Sequence, residues 1–108
     1  MIHLFEKVLL NNAKEDFTTY KLYLLSLPSD EILNHAYEYA VKLDILMALG
    51  SLLHRQVLNE QQIKALSQLP CPLEELYKDT NKHELITSTQ LKEMINRKVK
   101  SLDTTRIE

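Results

Sequence analysis

Four histidines and one cysteine are the side chains of this sequence best suited to bind a metal ion or to attack a substrate. The histidines are His3, His35, His54 and His83. They lie far apart, and none has a cysteine or a carboxylate at the spacing that zinc sites use. Cys71 lies between two prolines in a predicted turn, and the sequence places no histidine to activate its thiol. The pattern predicts no metal, no cofactor and no catalytic residue.

Asp44 is the charged residue in the most apolar surroundings, since it lies between Leu43 and Ile45 in a helical segment. A buried carboxylate without a partner is too costly, so Asp44 either reaches solvent or pairs with a basic group of another element. Two roles remain open, a structural polar lock and a catalytic base. The lock is favoured, because no second acid is fixed nearby.

Two tyrosines in the same segment are candidates for contact with another protein. Tyr37 and Tyr39 are two residues apart, so they point to different sides of a helix. An exposed tyrosine beside Asn34 and Glu38 would suit a protein contact, whereas the alternative is two tyrosines at the edge of the core. We therefore take Asn34, Tyr37 and Glu38 as candidate protein-binding residues.

The elements that must position these side chains are helices. One glycine and three prolines leave few formers of tight hairpins, and the sequence is rich in Leu, Lys, Glu, Gln and Ala, which favour helix. The single glycine, Gly50, also excludes the glycine-rich loops that bind nucleotide phosphates. We expect an all-α protein, a compact bundle of about five to six short helices in one domain over residues 1–108, with a frayed tail at 103–108.

Local signals place the first helix boundaries. A bend is expected at Asn11 and Asn12, and the first apolar stripe ends before Pro28. Ser29 is typical of an N-cap, and the helix that follows should run to Leu49 and close at Gly50.

Capping signals are clearer in the second half. Asn59 with Gln62, and Thr87 with Gln90, have the spacing of capping boxes. Pro72 suits the first position of a short helix.

The last helix should run from about Ser88 to Leu102 and has an apolar stripe and a basic flank. The stripe, a candidate helix seam, consists of Leu91, Ile95, Val99 and Leu102. Packing on the protein's own core is the favoured role, and a homodimer or partner interface is the alternative. The basic flank consists of Lys92, Arg97, Lys98 and Lys100. A solvated face is its default reading, and contact with nucleic acid is the alternative.

The charge distribution bears on the class of partner. Residues 1–50 hold four basic and seven acidic side chains, whereas residues 87–108 hold five basic and three acidic ones. This balance argues against general nucleic-acid affinity and against a mimic of DNA. No long apolar span and no signal-peptide pattern is present, so we expect a cytoplasmic protein without a membrane partner.

Four blocks of the sequence are distinctive: EILNHAYEYA at residues 31–40, DILMAL at 44–49, QQIKAL at 61–66 and PLEELYKD at 72–79. In this order they resemble a domain-of-unknown-function family of short helical proteins from bacterial mobile elements and phages. The resemblance spans about residues 20 to 100. Because that family has no established catalytic residues, the resemblance implies none here.

The resemblance also implies a kind of function. Small proteins without catalytic machinery in phages and integrative elements often bind host proteins, and inhibitors of CRISPR nucleases are a prominent group. We therefore expect a non-enzymatic, anti-CRISPR-like inhibitor whose partner is a host protein such as a CRISPR nuclease. The alternative is a DNA-associated regulatory or accessory protein of a mobile element that uses the basic last helix. A small enzyme has the least support.

Overall fold

A computed structural model of the chain describes residues 2–80 and 86–107, and side chains at 4–80 and 86–102. All regular structure in these ranges is helical, so the prediction of an all-α bundle is confirmed. The helices are α1 (Ile2–Leu25), α2 (Ser29–Asn34), α3 (Ala36–His54), α4 (Glu60–Ser67), α5 (Pro72–Lys78) and α6 (Ser88–Ile107). None of these helices is both long enough and apolar enough to cross a membrane.

Helix α1 is continuous, and the bend expected at Asn11 and Asn12 was a wrong prediction. The side-chain amide of Asn12 donates to the carbonyl oxygen of Ser67 at 3.4 Å, at the end of α4. Since the amide is engaged by another helix, it does not compete for the backbone of its own. The helix buries one face, formed by Leu9, Ala13, Phe17, Tyr20 and Leu24.

The segment predicted as one helix from Asp30 to Leu49, with Ser29 as its N-cap, is two helices. Helix α2 ends at Asn34, His35 has φ −102° and ψ 5°, and α3 begins at Ala36. Ser29 is the first helical residue and not the N-cap; Pro28 occupies the cap position without a side-chain hydrogen bond. The Pro28 carbonyl accepts from the backbone amides of the first turn, so the helix starts one residue earlier than expected.

The prediction that Gly50 closes the helix was also wrong, because α3 continues to His54. Leu52 and Leu53 are buried beyond the glycine. Burial of one leucine contributes about 1.5–3 kcal/mol, which exceeds the roughly 1 kcal/mol that a helical glycine costs. The left-handed residue that follows the helix is Gln56, with φ 58°.

The amides of Gln56 and Val57 donate back to the carbonyls of Leu53 at 3.2 Å and Leu52 at 3.3 Å. These two bonds form a Schellman motif in which glutamine stands where glycine is usual.

The capping boxes in the second half are confirmed. Asn59 and Gln62 exchange two hydrogen bonds of 2.8 and 3.0 Å at the start of α4. Thr87 and Gln90 exchange bonds of 3.0 and 3.2 Å at the start of α6. Helix α5 begins with Pro72, as predicted.

Helix α6 extends past its predicted end at Leu102 to Ile107, so residues 103–107 of the expected frayed tail are helical. No glycine or proline follows Leu102 to stop the helix. Glu108 lies outside the described residues.

Helix α3 lies at the centre of the bundle and packs against α1, α5 and α6. Its buried apolar side chains are Val41, Ile45, Ala48, Leu49, Leu52 and Leu53. One charged residue, Lys42, is buried beside them.

Candidate protein-binding surface

Five exposed apolar side chains belong to the end of α1, to α2 and to the start of α3. We call this group the apolar corner, and it consists of Leu22, Tyr23, Leu25, Leu33 and Tyr37. Scattered exposed leucines are normal on a soluble protein, but exposed leucines that line one groove are typical of an interaction surface. Leu25 and Leu33 are 77% and 76% exposed, so most of their apolar area remains to be covered.

A groove of about 440 Å³ lies within the apolar corner. We call it the α1–α2 groove, because side chains from the end of α1 face those of α2 and the first turn of α3. Its lining residues are Lys21, Leu24, Leu25, Ile32, Leu33, His35, Ala36 and Tyr39. The lining is mainly apolar, and its polar groups are the Lys21 ammonium, the His35 imidazole and the Tyr39 hydroxyl.

Helix α2 forms one wall of the groove and buries none of its six residues. A helix this short is not stable by itself in water. Backbone bonds hold it, from Glu31 and Ile32 to the Pro28 carbonyl and from His35 to the Ile32 carbonyl. Leu33 therefore projects into solvent from a helix that is held by backbone hydrogen bonds at its two ends.

A buried lysine connects this region to the core. The Lys42 side chain is 5% exposed, and its ammonium lies 2.9 Å from Glu38 Oε2 and 2.7 Å from Glu74 Oε2. It also lies 3.8 Å from the ring centroid of Tyr20 and 5.1 Å from that of Tyr77. We call these five residues the Lys42 cluster; they join α1, α3 and α5.

The charges within the Lys42 cluster stabilise one another. Burial alone lowers the pKa of Lys42, but hydrogen bonds and the charges of Glu74 and Glu38 outweigh it, so the pKa lies above its ordinary value. Burial alone raises the pKa of Glu38, but Lys42 and His35 lower it below its ordinary value. Burial is the largest cause that raises the pKa of Tyr20 far above its usual range. The buried Tyr20 hydroxyl has no hydrogen-bond partner among the described residues.

Glu74 is held in place from α1. The carboxylate of Asp16 accepts a hydrogen bond of 2.8 Å from the backbone amide of Glu74. Because Glu74 is in the first turn of α5, Asp16 caps that helix in place of Cys71, which makes no side-chain cap. This bond holds the start of α5 against α1, in the position where the Glu74 carboxylate contacts the Lys42 ammonium.

His35 links the groove to the Lys42 cluster. Its Nδ1 lies 3.3 Å from Glu38 Oε1, and its ring meets the ring of Tyr23 edge-on with centroids 6.0 Å apart. The imidazole that lines the groove is therefore oriented by a carboxylate that also contacts the buried lysine.

The sequence matches the profile of a protein family of unknown function, DUF3848, over residues 2–102. The chain belongs to this family. The expected resemblance to an uncharacterised family is thus confirmed, and the matched part of this DUF3848 chain includes the α1–α2 groove and the Lys42 cluster. No curated protein and no solved structure matches the chain.

The three candidate protein-binding residues do not share one environment in this DUF3848 chain. Asn34 and Tyr37 are exposed beside the groove, whereas Glu38 is half-buried and contacts Lys42 and His35. Asn34 and Tyr37 remain candidates for a protein contact, and Glu38 belongs to the Lys42 cluster.

Asp44 is half-buried, and no hydrogen bond or ion pair joins its carboxylate to another residue that the structure describes. The charged side chain that is locked in this helix is Lys42, which our sequence analysis missed. A signal was present, because Glu38 and Lys42 are four residues apart in the favoured order for a helical ion pair.

The basic flank of α6 is only partly available in this DUF3848 chain. Lys92, Arg97 and Lys100 are exposed, but the Lys98 ammonium lies 3.3 Å from Glu75 and 3.4 Å from Asp79. The hydrogen bond from Lys98 is the largest cause that lowers the pKa of Glu75. The charge of Lys98 is therefore neutralised by α5 and the residue after it.

The apolar stripe of α6 faces inward. Leu91, Ile95 and Val99 are buried in the core, and Leu102 is half-buried. The stripe at these positions therefore leaves little apolar area for a second copy to cover.

The residues considered first for chemistry are dispersed. Cys71 and His54 are exposed, and His35 lines the groove. His83 and the side chain of His3 lie outside the described residues. Within the described part of the chain, no three His, Cys, Asp or Glu residues form a group that could hold a metal ion.

Proposed function

We propose that this chain is a non-catalytic protein-binding domain and that the apolar corner with its α1–α2 groove is the docking surface. The observation that carries the proposal is the exposure of Leu25 and Leu33 on either side of one apolar groove. Covering a leucine completely contributes about 1.5–3 kcal/mol, so two largely exposed leucines offer a substantial part of a binding free energy. Aromatic side chains such as Tyr23 and Tyr37 are typical anchors at the centre of interfaces.

The polar groups of the groove support binding over catalysis. A general base needs a substrate proton within hydrogen-bond reach and a partner that tunes it. His35 has such a partner in Glu38, but that carboxylate also pairs with Lys42. No cysteine, serine or carboxylate is among the described residues that line the groove.

The partner in this proposal is a host defence nuclease in the cytoplasm, and the chain is an anti-CRISPR-like inhibitor. This part rests on the resemblance to short proteins of mobile elements and on the acidic first half of the sequence. Nucleic-acid channels are basic and attract acidic surfaces. The apolar corner belongs to that acidic half of the sequence, and the acidic side chains that would face a basic channel lie outside the groove lining.

Nuclease inhibition provides the test. Guide-loaded Cas9-type nucleases from the host range would be assayed for target cleavage with the wild type, Leu33→Asp and Met47→Asp. Met47 is the matched control, because it is 66% exposed on α3 and does not line the groove. We expect inhibition by the wild type and by Met47→Asp, and its loss in Leu33→Asp.

Two outcomes contradict separate parts of the proposal. If the wild type slows no nuclease of the panel, the nuclease is not the partner. If Leu33→Asp inhibits as well as the wild type, the apolar corner is not the docking surface.

A DNA-associated role is the alternative, and the exposed Lys92 and Arg97 on α6 favour it. The ion pairs of Lys98 with Glu75 and Asp79 weaken it, because they offset one of the charges that would contact phosphate. Retarded migration of single- or double-stranded DNA at low salt, lost on addition of salt, would support this role. Unchanged migration of both at low salt would eliminate it.

A further inference from the structure

We infer that the α1–α2 groove receives one amphipathic helix of the partner protein, and that this helix carries a carboxylate at the edge of its apolar face to pair with Lys21. This inference rests on the proposed function and specifies the chemistry of the occupant. Its two parts, the helical shape and the acidic edge, are supported by different observations.

The walls of the groove favour a helical occupant. Its apolar residues come from the last turn of α1 and from α2, at Leu24, Leu25, Ile32 and Leu33, with Ala36 and Tyr39 from the first turn of α3. One mode of binding an extended peptide adds a strand to the open edge of a sheet, and the described part of this chain has no strand to offer such an edge. A groove between helices instead accepts the apolar face of another helix, which contributes side chains at i, i+3 or i+4 spacing.

The charge at the rim favours an acidic edge. Lys21 is exposed, its ammonium lies 5.2 Å from the ring centroid of Phe17, and it forms no ion pair with a described residue. The second basic side chain of the lining, His35, is turned to Glu38. No acidic side chain is among the described residues of the lining, so the groove presents an uncompensated positive charge.

The Lys21 ammonium, which lies beside the apolar lining of the groove, discriminates between partner helices by their charge. A carboxylate that approaches it gains an ion pair, whereas a second cation placed there is repelled. Because the leucines supply most of the binding free energy, Lys21 determines which amphipathic helix binds and its orientation. The leucines and Lys21 therefore have separable effects.

A displayed library of short amphipathic helices, randomised at the positions that edge the apolar face, tests the inference. It would be selected on the wild type, on Lys21→Glu and on Leu33→Asp. Synthetic peptides of the enriched sequences would then be measured by fluorescence anisotropy and by circular dichroism. Lys14→Glu is the matched control, since Lys14 is also exposed on α1 but does not line the groove.

We expect the wild type and Lys14→Glu to enrich helices with Glu or Asp at one edge. We expect Lys21→Glu to enrich Lys or Arg there and to bind the acidic peptides at least about tenfold more weakly. Leu33→Asp should bind neither set. Peptides that become helical on binding complete the expected result.

Each contrary result has its own meaning. Groove-dependent peptides without any preference for an acidic edge, or that bind in extended form, overturn this inference and leave the docking surface in place. Peptides that bind Leu33→Asp as tightly as the wild type overturn the docking surface itself. Failure to enrich any helix, or self-association of the wild type that Leu33→Asp abolishes, also overturns the inference, since the latter would make a second copy the occupant.

Discussion

The ammonium of Lys42 lies 3.8 Å from the ring centroid of Tyr20, in the interior of the bundle. Two carboxylates, Glu38 and Glu74, contact the same ammonium. A buried cation on an aromatic face is stabilised by the ring quadrupole, and by the carboxylates far more. The cluster joins three helices through one atom, the Lys42 Nζ. Removal of this ammonium should therefore lower the stability of the whole domain.

Lys42→Met should lower the free energy of unfolding by about 2–4 kcal/mol. The methionine fills the apolar part of the space but leaves Glu38 and Glu74 without their shared cation. Both carboxylates retain some contact with solvent, which places the loss below that of a fully buried pair. Urea unfolding followed by circular dichroism measures the effect. The exposed Lys14→Met should change stability by less than about 0.5 kcal/mol, and equal losses in the two variants would contradict a structural role for the cluster.

Acidification should destabilise the domain through Glu38. The folded-state pKa of Glu38 lies below the ordinary value of 4.5, so its contribution is complete above pH 4.5 and is lost as the pH falls through the folded pKa. The free energy of unfolding, measured by urea titration at a series of pH values, should therefore decline below pH 4.5. Glu38→Gln should flatten this decline, and the exposed Glu15→Gln should not. An acid profile of Glu38→Gln with the wild-type slope would exclude Glu38 as the cause.

Asp44→Ala should change stability little, by about 0.5 kcal/mol or less. The sequence predicted a polar lock at this position, but the described residues provide its carboxylate with no partner. A melting temperature close to that of the wild type is the expected result. A loss of about 1–3 kcal/mol would instead show that Asp44 has the partner that the sequence predicted.

Val99→Glu should unfold or severely destabilise the domain. Val99 is buried in the core, and an unpaired carboxylate there costs several kcal/mol. Thermal melting combined with sedimentation separates this result from the loss of an interface. Lys92→Glu, on the exposed side of the same helix, is the control. A Val99→Glu variant that melts like the wild type but loses self-association would support the external seam.

Gly50 lies inside a helix, whereas the residue with left-handed backbone is Gln56. Because neither residue type suits its position, two substitutions should stabilise the domain. Gly50 is inside α3 and an added Cβ would meet nothing within 4 Å, so Gly50→Ala should stabilise by about 0.5–1 kcal/mol. Gln56 has φ 58°, so Gln56→Gly should remove strain of similar size. Chemical denaturation of each variant measures its free energy of unfolding. As a comparison, Gly50→Gln should raise this free energy by less than Gly50→Ala. Destabilisation by Gln56→Gly would show that the glutamine side chain contributes more than the strain costs.

Features that depend on neighbouring residues were predictable from the sequence. The capping boxes at Asn59 and Thr87 need only two residues three positions apart, and both formed. Helix ends governed by tertiary packing were not predictable, because burial of Leu52 and Leu53 carries α3 past Gly50. No glycine or proline marks the break at His35, which separates α2 from α3.

The candidate site was only partly predictable for the same reason. Asn34 and Tyr37 are candidates because their residue types and their spacing on one predicted helix indicate a contact surface, although the structure places them in α2 and α3. The Lys42 cluster combines residues from three helices that are distant in sequence, so only its Glu38–Lys42 pair has a local signal. The groove depends on how the end of α1 faces α2, and a helical pattern does not specify that distance.

The short α2, with none of its residues buried, has a consequence for the energetics of recognition. Segments held by a few backbone bonds and little packing undergo local unfolding at a small fraction of the global free energy. One wall of the groove can therefore open and re-form while α1 and α3 stay folded. A ligand that orders this wall loses part of its affinity to conformational entropy, and a substitution that stiffens α2 in its bound arrangement would recover that affinity without touching the ligand.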